Sequence, residues 1–239
     1  MATSRRIRTL LAAVAVTTAG VLALSGCAPE PEAVTSSESG DSRLSRPIPT
    51  GTVGAAYLDD GYLQVGDGPT TVDVYFDPMC PICGTFEDAN GDLLADLVDS
   101  SEITYRLYPM TFLNRASKGT NYSTRAGNAL TCVATADPAK VLPYFDLLYA
   151  NQPEEDSEGL TDEALVEMAD ATGVPDISAC VTDGTYSSWV QKVNDDALAG
   201  PIEGADIDAI KGTPTVLVNG ESYKGAVDDE KALADFIAG

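Results

Sequence analysis

Apolar and polar positions alternate along Val72-Asp73-Val74-Tyr75-Phe76. That period predicts a strand with Val72, Val74 and Phe76 on one face and Asp73 and Tyr75 on the other. Ile103 to Tyr108 carries a second strand signal. Between the two, Phe86, Leu93, Leu94, Leu97 and Val98 share one helical stripe, which predicts a helix over 86–98. Upstream, Tyr57 to Val65 predicts a short hairpin around Asp59-Asp60-Gly61, where the Asp-Gly pair favours a tight turn. Four helical patterns follow the second strand, over 121–136, 138–150, 161–172 and 185–199. Thr161 suits the N-cap of the third, and Asp162 and Glu163 suit its positive end. Trp189, the sole tryptophan, shares a stripe with Val190 and Val193 and is expected in the core. The apolar run Thr215-Val216-Leu217-Val218 then meets Asn219-Gly220, a strong hairpin signal, and 228–238 closes as a helix. The pattern describes a β-β-α-β unit and a β-β-α unit separated by a helical insertion.

The N-terminus carries a different signal. Arg5, Arg6 and Arg8 precede an uncharged apolar run from Leu10 to Leu24, which closes on Leu24-Ser25-Gly26-Cys27. This string resembles a bacterial lipobox, so residues 1–26 are expected to be a lipoprotein signal peptide and Cys27 the lipidated residue. An ordinary signal peptide or a transmembrane anchor is the alternative, although the run is shorter than the roughly 20 residues a spanning helix needs. Residues 27–54, rich in Ser, Pro, Thr and Glu, are expected to form a flexible tether. Without residues 1–26 the chain keeps 11 basic and 37 acidic residues, a formal charge of −26. So acidic a chain argues against a nucleic-acid partner and reads mainly as a well-solvated surface.

Candidate chemistry lies at Cys80-Pro81-Ile82-Cys83, between the strand ending at Phe76 and the helix that follows. A helix N-terminus aims unpaired N–H groups and partial positive charge at the first sulfur, which stabilises its thiolate. The spacing lets the second sulfur attack a mixed disulfide formed at the first. With Cys27 assigned to lipid, four of the five cysteines are left. If Cys80 pairs with Cys83, then Cys132 and Cys180 are available to each other as a structural disulfide, the alternative being two buried free thiols. Closing that loop would stabilise the fold by about 3–4 kcal/mol.

A C-x-x-C at a helix start, a helical insertion, and Gly212-Thr213-Pro214 ahead of a β-β-α unit resemble the thioredoxin fold with a DsbA-type helical domain. The preceding Phe76-Asp77-Pro78 strengthens the resemblance, which spans roughly residues 55–239. It implies an α/β fold with a mixed β-sheet flanked by helices. The thioredoxin-like domain would occupy 55–115 and 205–239, and an inserted helical subdomain 116–204. The resemblance also implies roles: Cys80 as exposed nucleophile, Cys83 as buried resolving cysteine, and Pro81 and Ile82 as tuners of the thiolate. Thr213, before a cis Pro214, would present its backbone to substrate. DsbA-type oxidases often carry a His within the motif; here Ile82 stands there and the chain has no His, so a less oxidising disulfide is expected. Many thioredoxin-like proteins place a buried acid six residues before the first Cys, where this chain has Val74. Asp77, three residues before it, resembles the acid of exported isomerase-type relatives or else caps the turn.

The function implied is an extracytoplasmic thiol–disulfide oxidoreductase, foremost a DsbA-type oxidase. It would act on exported cysteine-containing client proteins and depend on a membrane redox partner. It would be lipid-anchored at the cell membrane, monomeric, and without cofactor or metal. A thioredoxin-like reductase or an isomerase is the alternative, because the motif does not encode direction. The lack of a dimerisation segment between the tether and Tyr57 favours oxidase over isomerase. Cu(I) binding by Met79, Cys80 and Cys83, or a non-catalytic ligand-binding lipoprotein, is a more distant reading.

Overall fold

A computed structural model describes residues 42–239. The expected signal peptide, Cys27 and the first part of the tether lie outside the described residues. Strands β1 (Thr52–Val53), β2 (Ala56–Tyr57) and β3 (Tyr62–Val65) form a short meander, and β4 (Thr70–Phe76), helix α1 (Pro81–Asp99) and β5 (Ile103–Pro109) follow. The insertion holds α2 (Tyr122–Ala136), α3 (Val141–Ala150), α4 (Asp162–Thr172), α5 (Ser178–Thr182) and α6 (Ser187–Ala199). The chain then returns as β6 (Thr215–Val218), β7 (Glu221–Ser222) and α7 (Glu230–Ala238).

Among the described residues the strands form one mixed sheet in the order β1-β2-β3-β5-β4-β6-β7. β4 and β5 run parallel, as a helical crossover allows, while β3 and β6 flank them antiparallel. The alternation along β4 decides which side meets which layer. Val72, Val74 and Phe76 are buried in one cluster with Phe86 and Leu94 of α1, Phe145 of α3 and Leu233 of α7. Tyr75, on the opposite face, packs with Met110, Ala197 and Leu217. Each large side chain so buried contributes roughly 1.5–3 kcal/mol. β4 is therefore clamped from both faces and gives a fixed platform to the loop after Phe76.

The helical insertion packs around α2. Cys132 on α2 is bonded to Cys180 on α5, with Cα atoms 6.0 Å apart. Trp189 on α6 is fully buried, and its indole N–H donates to the Leu58 carbonyl at 2.8 Å, tying the insertion to the β2–β3 turn. At the other end of the sheet Asn219 and Gly220 both adopt positive φ, as a two-residue hairpin turn requires.

Two boundaries differ from the sequence pattern. α1 begins at Pro81, before the first apolar residue of its stripe, because a proline at the first helical position has the right φ and no N–H to satisfy. Residues 42–54 belong to the folded part and not to the tether. Arg43 pairs with Asp162 at 2.8 Å, β1 pairs with β2, and the Ala55 N–H donates to the Ala134 carbonyl at 2.8 Å. Gly54 permits that approach, since a Cβ there would lie 2.4 Å from the Ala134 oxygen. Polar composition hid these contacts, which are mostly backbone and charge.

Candidate active site

β4 ends at Phe76, and the chain turns through Asp77, Pro78 and Met79 into Cys80, the N-cap of α1. Asp77 holds that turn. Its buried carboxylate accepts the Met79 N–H at 2.9 Å, the Leu113 N–H at 2.9 Å and the Ser123 hydroxyl at 2.7 Å. Its carbonyl accepts the Cys80 N–H at 3.0 Å and the Tyr149 hydroxyl at 3.2 Å. Gln152, just past α3, donates its amide to the carbonyls of Pro78 at 3.1 Å and Cys80 at 2.9 Å. The insertion thus grips the loop that leads into Cys80 through Ser123, Tyr149 and Gln152. Burial pushes the Asp77 carboxyl up to about 6, although its three hydrogen-bond donors oppose the shift.

Cys80 and Cys83 are both free thiols, and their environments push them apart. A hydrogen bond from the Cys83 thiol is the largest influence on Cys80 and favours its thiolate. Burial opposes it. Thr213 and the backbone N–H groups of Cys83 and Ile82 add to the stabilisation, and Cys80 is drawn down to about 6. Burial first, then the neighbouring Cys80 sulfur, raises Cys83 well above the ordinary thiol value. As a thiol, Cys80 donates to the Thr213 carbonyl at 3.4 Å. The Thr213–Pro214 peptide is cis. Residues 133 positions apart in the chain therefore meet at one sulfur.

Cys80, expected to be exposed, is buried: it is 7 % exposed, with the Thr213 carbonyl against its sulfur, whereas neighbouring Ile82 is 54 % exposed. Among the described residues no group of three or more His, Cys, Asp or Glu is arranged to hold a metal ion, and no helix is long and apolar enough to cross a membrane.

The sequence model of the thioredoxin family matches residues 65–237. The chain belongs to the thioredoxin family. Within that family its solved neighbours are DsbA-like. The reduced disulfide bond oxidoreductase DsbG of Mycobacterium tuberculosis is 28% identical with a TM-score of 0.62, over 74% of this chain and 85% of that one. Reduced DsbA of the same organism is 26% identical with a TM-score of 0.58, over 74% and 98%. MdbA of Actinomyces oris, at 22% identity and a TM-score of 0.63 over 82% and 98%, shares the fold. Among curated proteins, the serine/threonine-protein kinase PknE of M. tuberculosis is 32% identical over 133 residues, covering 53% of this chain and 24% of PknE. The Na(+)/H(+) antiporter NhaA 1 of Salinispora arenicola is 27% identical over 168 residues, covering 70% and 23%. The chain spans about a quarter of the length of these curated relatives.

The thioredoxin-family motif made Cys80, Cys83, Thr213 and Pro214 legible from sequence. Ser123, Tyr149 and Gln152 were not, since each acts from the insertion with no local pattern around it.

Proposed function

We propose that this chain is an extracytoplasmic protein disulfide oxidoreductase of DsbA type, held at the membrane by lipid on Cys27. Cys80 is the nucleophile and Cys83 the resolving cysteine. In the oxidising direction a client thiolate attacks Cys80 of the Cys80–Cys83 disulfide and Cys83 departs. The client's second thiol then displaces Cys80, and the client leaves oxidised. A membrane redox partner accepts the two electrons from the resulting dithiol. The Thr213 backbone and the exposed Ile82 are the surfaces for the client segment, and the Cys132–Cys180 bridge is structural. The protein acts as a monomer.

The observation that carries this reading is the placement of two free thiols at the α1 N-terminus, with the Thr213 carbonyl ahead of a cis proline against Cys80, an arrangement whose burial and hydrogen bonds push the two sulfurs' ionisation in opposite directions. A low-pKa Cys80 is the better leaving group, so a mixed disulfide breaks toward release of an oxidised client. The likeness to DsbG and DsbA at 28% and 26% identity supports the same direction.

The test is the reduction potential of the Cys80–Cys83 couple together with catalysed thiol exchange. A value of about −120 to −180 mV supports an oxidase, and one of about −270 mV a reductase. Exchange activity that survives Cys80→Ser refutes the assignment of the nucleophile.

A further inference from the structure

Cys80 is the N-cap of α1, yet its side chain makes no capping hydrogen bond. A helix start is ordinarily fixed by a Ser, Thr, Asp or Asn whose oxygen accepts an N–H of the first turn. Here the side chain in that position is a thiol that approaches the Thr213 carbonyl instead, at 3.4 Å. The Cys80 backbone is held by other groups. Its N–H donates to the Asp77 carbonyl at 3.0 Å, and its carbonyl accepts the Gly84 N–H at 3.1 Å, the first bond of the helix. A second donor reaches that carbonyl from the insertion. It is the Gln152 side-chain amide, at 2.9 Å, which also donates to the Pro78 carbonyl at 3.1 Å.

Gln152 follows Asn151, the C-cap of α3, and its own N–H is tied to the Tyr149 carbonyl at 3.0 Å. The side chain therefore starts from a fixed point. Two carbonyl oxygens at one end of an amide admit only its nitrogen, so the oxygen takes the other position. That oxygen lies over Gly84 of α1, where a Cβ would come within 2.5 Å of it. A glycine weakens a helix relative to alanine. At 84 it gives the Gln152 amide the room to reach Cys80.

We propose that Gln152 is a positioning residue of the redox centre: it fixes the start of α1 from outside by holding the Cys80 carbonyl, and Gly84 is the space that admits it. The inference rests on the redox function proposed above. The Cys83 thiol and the N–H groups of Ile82 and Cys83 favour the Cys80 thiolate, and each depends on how Cys80 is turned against the first turn of the helix. Without Gln152 the Cys80 carbonyl keeps one bond, and the Pro78 carbonyl loses this one. The N-cap then rotates more freely, and those donors meet the sulfur a smaller fraction of the time. A Cys80 of higher pKa leaves more slowly when the client's second thiol displaces it. The insertion so sets the reactivity of a cysteine that belongs to the thioredoxin-like part of the chain.

The test is the titration of the Cys80 thiolate in the reduced protein, compared among wild type, Gln152→Met, Gly84→Ala and the double variant. Gln152→Met keeps the length of the side chain and removes both bonds. Gly84→Ala sets a methyl where the amide oxygen lies and displaces the free end of a side chain, not backbone. Each should raise Cys80 from about 6 by about half a unit to one unit, a fall of about three- to tenfold in the ratio of thiolate to thiol. The double variant should shift no further than either alone, because both changes remove one contact. Release of oxidised client should slow in step. Alanine is the better helix former, so Gly84→Ala should leave the melting temperature unchanged or raised. A less acidic Cys80 in a protein no less stable is a combination that a purely structural amide would not give. Both single variants titrating within about 0.2 units of wild type, or shifts that add in the double variant, overturn the positioning role and leave the redox function standing. A wild-type protein that exchanges no thiols overturns the redox function on which the role rests.

Discussion

Replacing Cys83 by alanine removes the hydrogen bond that contributes most to the Cys80 thiolate. A hydrogen bond to a charged group is worth about 1.5–3 kcal/mol, and one pKa unit about 1.36 kcal/mol. Cys80 should therefore rise from about 6 by about one to two units. It should not return fully to the free-thiol value of about 8.5, because the N–H groups of residues 82 and 83 stay in place. Near neutral pH the thiolate fraction should drop from about nine-tenths to between about a half and a tenth. The assay is ultraviolet thiolate absorbance of the reduced proteins across the pH range. A variant that still titrates near 6, or a wild type that titrates near the free-thiol value, refutes the account. The same shift carries a stability sign. A thiol depressed on folding stabilises the reduced form above its unfolded pKa, and the gain is lost as pH falls through about 6. Near neutral pH the gain is about 1.4 kcal/mol, or about 30 mV toward a more oxidising disulfide. The melting temperature of the reduced protein relative to the oxidised one should fall over that window.

The double change Cys132→Ser, Cys180→Ser opens a bridge across 48 residues and should cost about 4 kcal/mol, a drop of about 8–16 °C, with exchange at Cys80 retained. An unchanged melting temperature would refute the bridge's structural role. Asp77→Ala orphans three donors and should cost at least about 3 kcal/mol, whereas Ser123→Ala removes one donor and should cost about 1 kcal/mol; equal losses in denaturant unfolding would argue against the turn-holding role. Because the folded pKa of Asp77 is raised, its favourable contribution is present below about pH 4 and lost as pH rises through about 6, roughly 3 kcal/mol in all. Asp77→Asn should flatten that part of the stability–pH curve, and a curve of unchanged slope would contradict it. Trp189→Phe leaves the Leu58 carbonyl unpaired and should cost about 1–3 kcal/mol, read by chemical denaturation.

Local periodicity was enough for most of the elements, though not for the short α5 and β1. The alternation in 72–76, the stripe from Phe86 to Val98 and the Asn219-Gly220 turn each reflect a rule that acts over a few residues, and each element formed over its pattern, α1 starting earlier, at Pro81. The C-x-x-C stood out for the same reason, since its chemistry needs only a strand, a loop and a helix start in sequence. Burial was also readable where hydrophobic stripes recur, as at Trp189.

What local pattern could not supply is the support around the sulfurs. The Thr213 carbonyl reaches Cys80 only because β6 pairs beside β4, and Asp77 finds Leu113 and Ser123 only because the insertion folds back over the loop. Hydrogen bonds between residues tens of positions apart leave no period in a sequence, and neither does a buried hydroxyl without a partner. The same holds for ionisation. The motif established that two thiols would share a helix start, a property of chain order. Which of them holds its proton depends on burial and on the donors around each sulfur, and both of those arise only when the sheet and the insertion close around the loop.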